Sequence, residues 1–207
     1  MLFRSAFSAI LSKTNVHVSI VKGYHLPKTV DSQTLVVTSS VSGNTAETLT
    51  VLDSAKKINC KLIAFSDGGK MKEYCIKNNI EHRNIPLYHS PRGSFPSYLF
   101  SMLKVLQPVI PIKKEDIVES INNLNHLHDE ISSSNLVSNN PAIELAEWIT
   151  NIPIIYYPWG LQAAAVRFKN SLQENAKMHA IMEDVIEAGH NGVVAWEKDC
   201  RPIPDRK

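Results

Sequence analysis

The residues with the clearest chemical meaning are small hydroxyl side chains in residues 39–48, which follow an apolar run and precede a helical pattern. Ser40, Ser42 and Thr45 offer hydroxyl donors there. The first N–H groups of a helix have no partner within the helix and carry the positive end of its dipole, so the turn suits an anion. Because the Gly-Lys-Ser/Thr ending of a P-loop is absent, a phosphate monoester is favoured over a nucleoside triphosphate with magnesium.

The same turn also has an ordinary structural interpretation. Asn44 is followed three residues later by Glu47, which is the spacing of a capping box. Ser and Thr before a helix are common caps, so the turn alone favours capping over ligand binding.

A carboxylate and an imidazole in the last third of the chain form a second candidate pair. Glu174 closes a long helical pattern, and His190 lies in a loop between Gly189 and Gly192. Aldose–ketose isomerisation needs a base that moves a proton between neighbouring carbons and a second group that opens the sugar ring. A carboxylate whose pKa is raised by burial and a histidine can fill these roles without a metal.

Arg92, in a loop rich in proline, is the third candidate, since an arginine there can stabilise a developing enediolate or bind a phosphate. Each candidate has a structural alternative. Glu174 can pair with Lys169 or Lys177 on the surface, His190 can fill a turn, and Arg92 can be an ordinary surface residue.

Composition restricts the function classes. The 207 residues have a formal net charge of +2, which argues against nucleic acid as the main partner. The three cysteines are widely spaced, which fits a reducing compartment and predicts no zinc site. The spacing of the histidines does not match that of known metal ligands. No apolar run is long enough for a membrane span. We therefore expect a cytoplasmic protein.

Alternating patterns along the chain predict the elements that must position these residues. Strands are predicted at residues 16–21, 35–38, 61–66, 81–87 and 153–157. Helices are predicted at residues 46–58, 70–78, 97–106, 117–130, 142–150 and 160–177, and residues 193–196 fit either a strand or a helix start.

This alternation predicts an α/β fold with parallel, doubly wound sheets, on which ligands bind beyond the carboxyl ends of the strands. The serine-rich turn lies at such an end. Residues 131–141 are polar and read as a linker, so we predict a first domain at residues 1–130 and a second at residues 142–207.

Four patches in this order resemble the bifunctional phosphoglucose/phosphomannose isomerases of the sugar isomerase (SIS) domain superfamily. They are residues 40–48, 90–92, 174–177 and 190–191. The serine turn alone indicates an SIS domain, and the Glu-Asn-Ala-Lys and His-Asn runs indicate this family. The resemblance implies two flavodoxin-like, three-layer SIS units. It also implies a metal-independent enzyme without cofactors that interconverts glucose 6-phosphate or mannose 6-phosphate with fructose 6-phosphate through an enediol.

The resemblance also implies roles for individual residues. Ser40, Ser42 and Thr45 would hold the phosphate of the substrate. Glu174 would move the proton between C1 and C2, and Arg92 would stabilise the enediolate.

The remaining roles concern the second half of the chain. His190 would assist ring opening from the other subunit of a homodimer. Arg167 and Lys169 match a family pattern and would support Glu174.

The chain departs from the family pattern at both ends. The family's glycine-rich phosphate loop is missing before the first matched residues, and the closing strands and helix are missing after Trp196. We therefore expect the first unit to lack its opening strand and helix, and the second unit to lack its last strands. Two alternatives stay open: a non-catalytic phosphosugar-binding module or inactive fragment of such an isomerase, and a nucleotide-binding α/β domain, which the missing P-loop lysine disfavours.

Overall fold

A computed structural model of the protein describes residues 15–136 and 139–199, which divide into two compact units at residues 110 and 111. The first unit contains a parallel sheet with the strand order β1-β2-β3. Its strands are β1 (Leu35–Ser39), β2 (Lys61–Ser66) and β3 (Glu81–Asn84). The parallel order requires a crossover between successive strands, and the predicted helices supply it.

Helices cover both faces of this sheet. Helix α1 (Ala46–Ile58) connects β1 to β2, and α2 (Gly69–Lys77) connects β2 to β3. Helix α3 (Phe95–Leu106) follows β3 and borders a shallow groove with Phe65. Ala64 and Phe65 point to opposite faces of β2 because side chains alternate along a strand, and both are fully buried. The core on the α1 and α2 face contains Leu52, Ala64, Met71 and Cys75.

The second unit contains a smaller parallel sheet. Strands β4 (Ile154–Tyr157) and β5 (Ile181–Asp184) pair in register, with Ile154 opposite Ile181. Its helices are α4 (Lys114–Ile131), α5 (Pro141–Trp148), α6 (Gln162–Ser171), α7 (Val185–Glu187) and α8 (Val193–Asp199), with π-helical turns at Leu172–Ala176 and Ala188–Gly192. None of the helices in the described parts of the chain is both long and apolar enough to cross a membrane.

The predicted parallel α/β architecture is confirmed, with two corrections. The predicted strand at residues 16–21 is wrong, because that segment has no regular secondary structure, and Val16, Ile20 and Val21 are exposed. An alternating pattern makes a strand only where a partner strand accepts its hydrogen bonds, and β1 pairs with β2 instead. Strand β5 was absent from the prediction, although it pairs with β4 along its whole length.

The compact units and the predicted domains divide the chain at different points. Helix α4 contacts α5 and groups with the second unit, whereas the predicted first domain extends to residue 130. The predicted domain limits of 1–130 and 142–207, with the linker at 131–141, stay a prediction.

Candidate functional site

The hydroxyl-rich turn, residues 40–45, is called the phosphate loop below. It lies at the carboxyl edge of the first sheet, since β1 ends at Ser39 and α1 begins at Ala46. Ser40 is buried, whereas Ser42 and Thr45 are exposed. The Oγ atom of Ser40 lies 2.7 Å from Oγ1 of Thr45. The fold therefore brings the three predicted phosphate ligands into one short loop.

The capping-box interpretation of this loop is wrong. Thr45, not Asn44, is the N-cap residue of α1, and its side chain makes no capping hydrogen bond. The Asn44 side chain instead accepts a hydrogen bond from the backbone N–H of Lys70, at 3.1 Å, in the first turn of α2. The residue expected to cap α1 therefore caps α2, and the geometry favours the anion-binding interpretation of the α1 terminus.

The hydroxyl groups of the phosphate loop are arranged as donors. The backbone N–H of Asn44 donates to Oγ of Ser42, at 3.3 Å, so this hydroxyl already accepts a bond and can donate its own proton. In the pair formed by Ser40 and Thr45, one hydroxyl donates to the other. The accepting hydroxyl can then donate its own proton to a ligand. Two hydroxyl protons and the positive end of α1 can thus serve one phosphate group.

The turn that follows β2, residues 67–69, supports the phosphate loop from the side and is called the glycine turn below. The N–H of Asp67 donates to the carbonyl oxygen of Val41 at 2.9 Å. Gly43 has a φ of +70°, and a Cβ atom there would lie 1.9 Å from the carbonyl oxygen of Gly68. Glycine is required because the two loops leave no room for a side chain between them.

A polar pair lies beneath the glycine turn. Oγ of the fully buried Ser66 donates to the carbonyl oxygen of Gly68 at 2.9 Å and lies 2.8 Å from Nε2 of His82. Burial lowers the pKa of His82, and the charge of Lys72 lowers it further, so the neutral imidazole is favoured. Sequence reasoning missed this pair, and the only signal for it was a serine at the end of an apolar strand before Asp67.

Arg92 lies in the loop after β3, at the same edge of the sheet as the phosphate loop. The fully buried Ser94 fixes this loop: its Oγ accepts from the N–H of Tyr88 at 2.9 Å and donates to the carbonyl oxygen of Ser90 at 3.0 Å. The Arg92 side chain is exposed. The first unit therefore presents a cation and the predicted phosphate ligands along one sheet edge.

Tyr98, on α3, connects these two loops. Its buried hydroxyl lies 3.3 Å from the carbonyl oxygens of both Val41 and Ile85. Burial raises the pKa of Tyr98 to about 12, with the Asp67 carboxylate adding to the effect, so the phenol stays a donor at neutral pH.

The predicted base and the predicted histidine lie at different ends of β5 in the second unit. Glu174 is exposed in the π-helical turn before β5, where Nζ of Lys177 donates to its backbone oxygen at 2.7 Å. His190 is exposed in the π-helical turn that follows β5 and α7. A strand of four residues spans about 13 Å, and β5 therefore separates the two turns along the chain.

Within residues 15–136 and 139–199, no group of three or more His, Cys, Asp and Glu side chains is arranged to hold a metal ion.

Solved structures define the class of fold. A glucosamine-6-phosphate deaminase from Thermotoga maritima has a TM-score of 0.62 at 15% identity, over 91% of this chain and 53% of that one. The C-terminal domain of glucosamine-fructose-6-phosphate aminotransferase from Francisella tularensis has a TM-score of 0.62 at 16% identity, over 94% and 57%. Residues 138–205 match the bacterial phospho-glucose isomerase C-terminal SIS domain. The solved structures thus show the fold, and the family model identifies residues 138–205 as similar to an SIS domain.

Curated relatives narrow this class. The chain is 34% identical to a bifunctional phosphoglucose/phosphomannose isomerase from Caldicellulosiruptor bescii, over 91% of this chain and 57% of that protein. It is 32% identical to the isomerase of the same name from Thermoplasma acidophilum, over 91% and 54%. A D-glucosamine-6-phosphate 4-epimerase from Sulfolobus acidocaldarius is 31% identical over 79% and 51%. Over most of its length the chain is similar to the bifunctional phosphoglucose/phosphomannose isomerases, and it spans about half the length of these relatives.

Proposed function

We propose that this protein is a sugar-phosphate isomerase that interconverts glucose 6-phosphate or mannose 6-phosphate with fructose 6-phosphate through an enediol, without a metal. The observation that carries the proposal is the phosphate loop, in which the Ser42 and Thr45 hydroxyls lie at the start of α1 and the side chain of the N-cap residue Thr45 makes no capping hydrogen bond. The names of the similar proteins support the same reaction.

In the proposed binding step, Ser40, Ser42 and Thr45 hold the substrate phosphate: the exposed Ser42 and Thr45 hydroxyls donate to it, and the buried Ser40 donates to Thr45. The positive end of α1 favours the dianion over a neutral sugar. Arg92 lies at the same sheet edge, and its guanidinium stabilises the negative charge that develops on the enediolate.

In the proposed chemical step, the Glu174 carboxylate takes the proton from C2 of the open-chain aldose and returns it to C1. The C–H electron pair forms the C1–C2 double bond of the enediol, and the C1 carbonyl oxygen takes up a proton. In the return step the C2 hydroxyl loses its proton, the C2–O double bond of the ketose forms, and the C1–C2 π pair takes the proton from Glu174 at C1. Before these steps, His190 donates a proton to the ring oxygen, the bond from C1 to that oxygen breaks, and the C1 hydroxyl releases its proton to water as the carbonyl forms. Arg167 and Lys169 position Glu174.

We also propose that His190 acts in the site of a second copy of this chain. The placement of Glu174 before β5 and of His190 after it supports this assignment. The residues around His190 support it too: Ile186, Val193 and Val194 are 61%, 54% and 62% exposed. Exposed apolar side chains of this kind are typical of an interface. A reducing, cytoplasmic location fits the three widely spaced cysteines.

A coupled assay for fructose 6-phosphate formation tests the reaction. We expect Glu174→Gln to abolish activity, because the amide cannot accept the proton, whereas Glu144→Gln on the surface of α5 keeps it. Activity that survives Glu174→Gln excludes Glu174 as the base. If the wild type binds glucose 6-phosphate without converting it, the alternative of a non-catalytic phosphosugar-binding module or inactive fragment replaces the proposal.

A further inference from the structure

We propose that Asn44 is a positioning residue that holds Ser42 in place for the substrate phosphate by tying the phosphate loop to the first turn of α2. The inference rests on the proposed function, since it concerns the affinity of the same site. Asn44 was predicted only as a helix cap, and the proposed function gives it no role.

Three hydrogen bonds fix Ser42 through Asn44. The backbone N–H of Asn44 donates to Oγ of Ser42 at 3.3 Å, and Nδ2 of Asn44 donates to the Ser42 carbonyl oxygen at 3.1 Å. The third bond ties the pair to α2, because Oδ1 of Asn44 accepts from the N–H of Lys70 at 3.1 Å. The Asn44 carboxamide therefore donates a hydrogen bond within the phosphate loop and accepts one from a neighbouring helix.

The backbone beside Asn44 makes a parallel connection. The N–H of Met71 donates to the carbonyl oxygen of Gly43 at 2.9 Å. Gly69 has a φ of +63°, and a Cβ atom there would lie 2.5 Å from the Ser42 carbonyl oxygen. The first turn of α2 thus approaches the phosphate loop so closely that only glycine fits between them.

This geometry has a functional consequence because Ser42 is exposed and stands in a loop rather than in a strand or helix. A hydroxyl that is not held in position must be ordered when the ligand binds, and this ordering lowers affinity. The Asn44 side chain holds the backbone of Ser42, and so the position from which its hydroxyl extends, before the phosphate arrives, and it need not touch the substrate.

The test compares Asn44→Ala with Asn78→Ala. Asn78 is a matched control, because its side chain also makes a hydrogen bond, to the Tyr74 carbonyl oxygen, but at the opposite end of α2. The dissociation constants of glucose 6-phosphate and inorganic phosphate are measured for both variants and for the wild type. We expect Asn44→Ala to raise both constants about tenfold and to raise KM with little change in kcat, and Asn78→Ala to leave them unchanged.

Amide hydrogen exchange supplies a readout that does not depend on activity. Asn44→Ala should speed exchange of the Lys70 amide about tenfold or more, because this N–H loses its acceptor, while the amide of the core residue Leu52 is unchanged. Unchanged Lys70 exchange, equal acceleration at Lys70 and Leu52, or unchanged dissociation constants overturn the inference while the proposed function stands. A wild type that binds neither ligand overturns the proposed function itself, and the inference with it.

Discussion

The Cβ position of Gly43 lies 1.9 Å from the carbonyl oxygen of Gly68, so loops from two neighbouring strands meet backbone to backbone. This contact joins the phosphate loop to the glycine turn. The geometry of the proposed phosphate site therefore depends on a part of the chain that is not expected to touch the ligand.

Gly43→Ala should destabilise the first unit by about 3 kcal/mol or more, because the methyl group clashes with backbone and the positive φ is strained. Gly23→Ala is the control, since Gly23 has a φ of +95° but open space around its Cβ position. Gly23→Ala should lower the free energy of unfolding by about 1 kcal/mol. Urea unfolding measures both, and equal costs would show that the contact with Gly68 contributes nothing.

Removal of either exposed hydroxyl from the phosphate loop should weaken glucose 6-phosphate binding. Ser42→Ala and Thr45→Val each remove a hydrogen bond to a charged phosphate, and we expect each to raise the dissociation constant by about tenfold or more. Titration calorimetry measures the change. Ser54→Ala is the control, because that hydroxyl donates to the Thr50 carbonyl oxygen within α1, away from the loop. An effect of Ser54→Ala as large as that of Ser42→Ala would contradict the assignment.

Acidification should destabilise the first unit through His82. Burial lowers the pKa of His82 below its ordinary value of 6.5, so the unfolded chain binds a proton at a higher pH than the folded chain. The contribution of the neutral His82 imidazole to the free energy of unfolding is fully present above pH 6.5. It is lost as the pH falls from 6.5 through the lower pKa of the folded chain.

Urea unfolding between about pH 5 and pH 8 tests this dependence. His82→Gln should flatten the plot of unfolding free energy against pH in that range, because the amide can replace the hydrogen bond to Ser66 without titrating. His25→Gln, at an exposed position, should leave the slope unchanged. A slope that is the same in His82→Gln and in the wild type would assign the pH dependence to other groups.

A mixture of two inactive variants should recover activity if His190 acts across a homodimer. Glu174→Gln supplies an intact histidine and His190→Ala an intact base, so each mixed dimer regains one complete site. Random exchange of equal amounts should restore about one quarter of the wild-type activity, because half of the dimers are mixed. Failure to recover activity, with mixed dimers present by native mass spectrometry, would place both residues in the site of one chain.

The strand–loop–helix unit from β1 to α1 could be predicted because its signals are local. An apolar run, a hydroxyl-rich turn and a helical pattern follow one another directly along the chain. Strand β5 could not be predicted in the same way, because only Ile181 and Met182 are apolar before two acidic residues. Its pairing with β4 defines it, and pairing partners are not visible in a short segment.

The positions of the candidate phosphate ligands within one loop could likewise be predicted, since they are neighbours in sequence. The support of that loop could not. Ser66 and His82 meet only because β2 and β3 are adjacent, and Asn44 reaches Lys70 only because α2 begins beside the phosphate loop. The assigned roles of Glu174, His190 and Arg92 stay predictions.

The residues proposed to hold the phosphate belong to one compact unit, and those proposed to transfer protons belong to the other. Substitutions can therefore alter the proposed phosphate binding and the proposed proton transfer separately. Substitutions in the second unit can change the proposed proton transfer while every proposed ligand of the phosphate is retained. A new reaction at the proposed site would therefore not require new residues for phosphate binding.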